Sequence, residues 1–171
     1  MSLFKQISTN EFIKSPFSLI GKDWMLITTP DKSKKSGANA MTASWGGLGI
    51  LWNKPVATIY IRPQRHSFKL AEDTDTLSLC FFGEEHRDAL KLCGTKSGRD
   101  MDKLDASGLT VSCAGDTPYI DQASIVMICK KAYADFLCED GFVDKSHLSH
   151  YPTKDYHKLY ILEIEQILVK E

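Results

Sequence analysis

Apolar residues along this chain fall in short runs, rich in β-branched and aromatic side chains and bounded by Gly or Pro. Residues 24–29 form one such run, ended by Pro30 and Asp31. Residues 56–61 lie between Pro55 and Pro63, and residues 77–82 end at Gly83. Residues 124–136 and 159–169 are longer and carry apolar side chains on both faces for much of their length. Runs of this size and composition predict strands. Two-faced apolar strands imply a sheet that curls or is covered on both sides. The polar stretch at residues 32–37 reads as a loop between two strands.

Two helices are expected. Residues 67–71 form a short one that opens after a proline. Residues 84–93 form a second, with acids in the first turn, Gly94 just past the end, and Ala89, Leu90 and Cys93 as a buried stripe. Strands outnumber helices and do not alternate with them. The expected fold is therefore mainly β, a β-barrel with peripheral helices rather than a doubly wound sheet. No GxGxxG follows a strand into a helix, so the Rossmann signal is missing.

The bulk composition narrows the function classes. At 171 residues the chain reads as a single domain, residues 1–171, with no repeat and no low-complexity linker. A formal net charge of −1 with 43% hydrophobic residues argues against general nucleic-acid binding, which needs a basic face. Residues 1–14 lack the apolar run of a signal peptide, and no stretch approaches the ~20 apolar residues of a spanning helix. The five cysteines contain no CxxC pair. These features lead to an expectation of reduced thiols in a cytoplasmic protein without a membrane partner.

Three segments carry candidate chemistry. Residues 39–49 hold Asn39, Ala40, Met41, Thr42, Ala43, Ser44, Trp45 and then Gly46, Gly47 and Gly49. Small residues there let a flat ligand approach the backbone, and a glycine-rich turn at a strand end has the same composition. Arg62, Pro63, Gln64, Arg65, His66 and Ser67 follow a strand and lead into a helix, a setting that suits a phosphate as well as a solvated basic turn. Residues 93–103 are punctuated by Gly94 and Gly98 and contain Ser97, Arg99 and Lys103. They lack the GxxxxGK[ST] of a phosphate loop and fit a surface loop too.

In this order and spacing the three segments, with Asp155, Tyr156 and His157 before the final strand, resemble the flavin reductase-like family of FMN-binding split barrels, and its flavoredoxin-type branch. The resemblance covers about residues 21–169. It implies a Greek-key split barrel and a homodimer with FMN near the subunit interface. It also implies that Asn39, Met41, Thr42, Ala43, Ser44 and Trp45 run beside the flavin ring. Arg62, Gln64, Arg65 and Ser67 would hold the phosphate, with Ser97, Gly98, Arg99 and Lys103 closing over it and His157 near the ring. The implied function is an FMN-dependent oxidoreductase that takes electrons from NAD(P)H or a redox protein. A non-enzymatic electron carrier or FMN-binding module is the alternative. Hydride and electron transfer belong to the cofactor, so no catalytic nucleophile or acid–base dyad is expected. His147 and His150 lack a third ligand, and no metal site is expected.

Overall fold

The computed structural model describes residues 4–171. Its strands are β1 (Phe4–Ile7), β2 (Met25–Pro30), β3 (Ala38–Ala43), β4 (Gly46–Leu51), β5 (Lys54–Ile61), β6 (Thr76–Phe81), β7 (Val111–Ala114), β8 (Thr117–Ile120), β9 (Ile125–Phe136) and β10 (Lys158–Lys170). Its helices are α1 (His66–Glu72), α2 (Arg87–Thr95) and α3 (Lys103–Ala106). A π-helical segment, Phe17–Asp23, precedes β2.

All five runs read from the pattern are strands. The mainly β class with peripheral helices is observed. The barrel is not. Eight strands form one antiparallel sheet ordered β3-β2-β6-β9-β10-β5-β4, with β1 added to the far end of β10. Strands β3 and β4 are its two free ends, and no ladder joins them. The expected closed, Greek-key split barrel is thus corrected to an open, curled sheet. The reason is local. The chain passes from β3 through Ser44 and Trp45 into β4 without making a turn, so the two strands follow one another and do not fold back as a hairpin.

The curl explains the two-faced apolar strands. In β2, β6 and β9, alternate residues such as Ile27, Leu79 and Met127 face a core shared with Ile59, Tyr160 and Leu162 of β5 and β10. Their neighbours Leu26, Cys80 and Val126 face a second core, closed by Leu90 and Cys93 of α2, Leu104 of α3 and Ile120 of β8. Register shifts in the β9–β10 ladder leave Ala132 and Glu165 without a partner, and such bulges bend long strands. The helical run at 84–93 is a short 3₁₀ turn followed by α2, which takes in Gly94 rather than ending before it.

Gly46 opens β4 at the step. A Cβ there would lie 2.6 Å from the Thr58 carbonyl oxygen and 3.3 Å from Met25 Cε. The backbone of β5 cannot yield cheaply. Gly46→Ala is expected to cost about 1–3 kcal/mol, the usual range for overpacking. Urea denaturation of the variant, with an unchanged m-value, measures that loss.

Candidate flavin and phosphate clefts

The gap between β3 and β4 continues into two clefts. The first, about 300 Å³, is lined by Met41, Thr42, Ala43, Ser44, Trp45, Tyr60, Arg62, Arg65, Gly94 and His157. The second, about 170 Å³, is lined by Gln64, Arg65, His66, Ser67, Thr95, Lys96, Ser97, Gly98, Arg99 and Lys103. Arg65 lines both. Fourteen of the fifteen residues singled out from the sequence therefore meet in one continuous trough. Asn39 is the exception. It is buried behind the wall, and its Nδ2 donates to Ser67 Oγ at 2.8 Å. Tyr60, His66, Gly94, Thr95 and Lys96 line the trough as well, though no ligand role was expected of them, because nothing in their residue type marks them out within or beside the recognised segments.

The trough is built from the strand ends outward. Thr42 Oγ1 donates to the Leu90 carbonyl, which pins α2 to the end strand β3. A Cβ on Gly94 would stand 3.3 Å from Thr42 Cβ, so glycine lets the last turn of α2 approach. Arg65 Nη2 donates to the Gly94 carbonyl at 3.0 Å and spans the junction of the clefts. Gly98 is more tightly held: its Cβ would fall 2.2 Å from Asn39 Oδ1 and 2.6 Å from His66 Cδ2. Asp102 ties the far wall together. Its carboxylate accepts from Ser36 N and Ser36 Oγ, both at 2.9 Å, and caps α3 through Asp105 N at 3.2 Å.

The second cleft is strongly basic. Arg65, Lys96, Arg99 and Lys103 line it and no carboxylate does. Lys103 is 4% exposed, and its Nζ donates to the Cys93 carbonyl at 3.0 Å. Among the described residues it makes no ion pair, and neither does Arg65. Burial pushes the Lys103 pKa down to about 8, and Arg65 repels it further. Burial also lowers that of Arg65. Two desolvated cations without a counter-ion carry an unfavourable energy that an anion relieves. The seven-residue α1 adds little dipole, so the side chains carry the charge.

Arg62 is placed differently from the expected phosphate ligand. It lines the first cleft and pairs with Asp155, and its Nη2 donates to the His150 carbonyl at 2.9 Å. Gln64 Nε2 donates to the same Asp155 at 2.6 Å. These bonds hold the Asp155 carboxyl far below the usual carboxylate range. They also dock residues 150–157 onto β5. His157 follows, buried, with Nδ1 2.8 Å from Tyr151 Oη. Burial, then the nearby Arg62, brings its pKa down to about 4, so the ring is neutral at pH 7. Trp45, 47% exposed, packs on both His150 and His157 at the mouth of the first cleft.

Comparison with known proteins assigns the class. The family model of the flavin reductase like domain matches residues 17–171, and the chain belongs to that family. Solved structures share the fold. One is an FMN-binding domain of a flavin reductases-like enzyme from Shewanella baltica OS155, 15% identical, TM-score 0.68, over 98% of this chain and 77% of that one. Another is flavoredoxin of Desulfovibrio vulgaris (Miyazaki F), 16% identical, TM-score 0.68, over 96% and 78%. A third is an FMN-binding protein from Thermus thermophilus with bound p-hydroxybenzaldehyde, 15% identical, TM-score 0.67, over 98% and 82%. Among curated proteins none matches significantly in sequence. No helix among the described residues is long and apolar enough to cross a membrane.

The Lys103 environment fixes a pH dependence. Its folded pKa of about 8 lies below the ordinary 10.5, so between these values the unfolded chain binds more protons. The destabilisation is fully present below pH 8 and is withdrawn as pH rises from about 8 to 10.5. Lys103→Met is expected to make the ligand-free protein more stable at pH 7 and to remove this contribution. Denaturant midpoints of both proteins from pH 7 to 10 provide the check.

Proposed function

We propose that the chain holds FMN along the trough, with the isoalloxazine ring in the first cleft and the phosphate in the second. It would act as an FMN-dependent oxidoreductase fed by NAD(P)H or a protein donor. The observation that supports this most is the buried Lys103 beside the half-buried Arg65, neither of them in an ion pair among the described residues. That donor set fits a terminal phosphate dianion, and it adjoins a slot walled by Trp45, Tyr60 and His157. When bound, FMN supplies the hydride and single-electron chemistry.

The chain's own part is position and field. Asn39 orients Ser67 toward the phosphate cleft, and Gly98 keeps the loop that carries Ser97 and Arg99 close to it. Strand β3 is an end strand, so half of its N–H groups face away from β2 and are free to meet the ring's polar edge. Arg65, which lines the ring cleft without an ion pair among the described residues, brings positive charge to it, and such charge would favour a reduced, anionic ring electrostatically. His157 is uncharged at neutral pH and serves as a wall rather than as an acid. Trp45 at the mouth supports the second reading, a non-enzymatic electron carrier, because it narrows the approach of a nicotinamide. The unpaired cysteines fit a cytoplasmic setting.

The protein is expected to be a homodimer. End strand β4 exposes Ile50 and Leu51, Trp52 follows it, and Phe17 projects beside it. A groove of about 560 Å³ between the π-helical segment and β4 reaches the ring cleft through Ser44 and Trp45. A second copy seated there would cover apolar surface and shield the flavin.

Purified protein should release FMN, not FAD, on heating. Lys103→Met, a change at the phosphate end alone, should weaken FMN by about one to two decades, the worth of a charged hydrogen bond of roughly 1.5–3 kcal/mol, and leave riboflavin affinity nearly unchanged. Anaerobic NADH or NADPH should bleach the flavin within the turnover time, and Trp45→Ala should speed that step. Bleaching by dithionite alone would instead select the carrier. Light scattering at micromolar concentration should give twice the chain mass of 19.2 kDa, and Trp52→Asp should halve it.

A further inference from the structure

His66 is the one ionisable group of the basic cleft with a carboxylate behind it. It opens α1 and lines the cleft with Arg65 and Lys103. Its Nε2 lies 3.2 Å from Asp31 Oδ2. The Asp31 side chain is 4% exposed, and its other oxygen accepts from Ser33 N at 3.0 Å and Ser33 Oγ at 2.6 Å. Burial works to raise the Asp31 carboxyl, but Ser33 and His66 together pull it below its ordinary value. A fixed carboxylate thus holds the imidazole from one side, and Gly98 lies so close to Cδ2 that a Cβ there would stand 2.6 Å from it. Nδ1 has no hydrogen-bond partner among the described residues.

That arrangement leaves one nitrogen whose character depends on a proton. With Nε2–H given to Asp31, a neutral ring presents Nδ1 as a bare acceptor, which an anion avoids. A protonated ring donates from both nitrogens. We propose that His66 is a proton-coupled ligand of the phosphate: a phosphate dianion enters the basic cleft together with one proton, which forms the Nδ1–H bond that the dianion accepts, while Asp31 positions the ring through Nε2. The proton comes from solvent, and no other bond forms or breaks. The proposal rests on reading this cleft as the phosphate end of the FMN trough, and it adds a regulation of that end by pH.

The charges facing the ring are of both signs. Asp31, from the β2–β3 loop, lies behind it, and Arg65 before α1, Lys96 and Arg99 after α2, and Lys103 in α3 line the same cleft. A bound dianion adds negative charge on the Nδ1 side and draws the proton on.

Calorimetric titration of the whole protein with FMN at pH 7.0, in phosphate-free buffers of different ionisation enthalpy, counts the protons taken up. At this pH Lys103 is already largely charged. Wild type is expected to take up protons with FMN, and with inorganic phosphate once the proton that its monoanion gives up on binding as the dianion is added back, but not with riboflavin. His66→Gln should bind riboflavin normally, bind FMN more weakly and lose the uptake, and Asp31→Asn should reduce it. Imidazole nitrogen NMR of the unaltered protein should show Nδ1 gaining a proton when inorganic phosphate is added. Equal uptake by wild type and His66→Gln, or an unprotonated Nδ1 in the phosphate-bound protein, overturns the proposal while leaving FMN binding intact. Uptake with inorganic phosphate in a protein that ignores FMN sustains the coupling and overturns the FMN reading.

Discussion

Two residues, Ser44 and Trp45, carry the chain from one end of an eight-stranded sheet to the other. A link so short keeps the two end strands close together, and so requires the sheet to curl. The link makes no turn, so β3 and β4 do not fold back on one another and no ladder closes the curl. The inner core, the two-faced strands and the trough all follow from that. Gly46 makes the step sterically feasible, because any side chain there meets the backbone of β5. The bulges in β9 and β10 supply the bend further along.

The trough then divides the labour between two kinds of surface. Its ring end is walled by aromatic side chains and a neutral histidine, and Arg62 there is balanced by Asp155. Its other end collects positive charge without balancing it. Burial makes that imbalance costly in the free protein and favourable in a complex with an anion. Arg65 belongs to both ends, so it couples ring placement to phosphate placement.

Much of this was legible in the sequence, for identifiable reasons. The strands at 24–29, 56–61, 77–82, 124–136 and 159–169 show as runs because both cores draw on them, which leaves few polar interruptions. Strand β4 was hidden. Its sequence, Gly46 to Leu51, is half glycine and exposed at a sheet end, so it has neither strand composition nor burial. The open sheet was also out of reach, since closure depends on which ends pair and not on what each strand contains. The ligand segments were visible through the order of three motifs. The role of Arg62 was not, because its partner Asp155 is 93 residues away. Nothing local distinguishes an arginine facing a ligand from one facing a carboxylate.

The Asp102 carboxylate has a consequence for how the molecule assembles. By joining Ser36 of the β2–β3 loop to the start of α3, it links segments 66 residues apart. Closing a loop of that length costs chain entropy, which the hydrogen bonds of one carboxylate help to offset. The far wall of the phosphate end is thereby drawn toward the cations of the opposite wall. An anion between them works in the same direction as Asp102: it neutralises charges that the link brings together and favours the conformer in which both walls are in place.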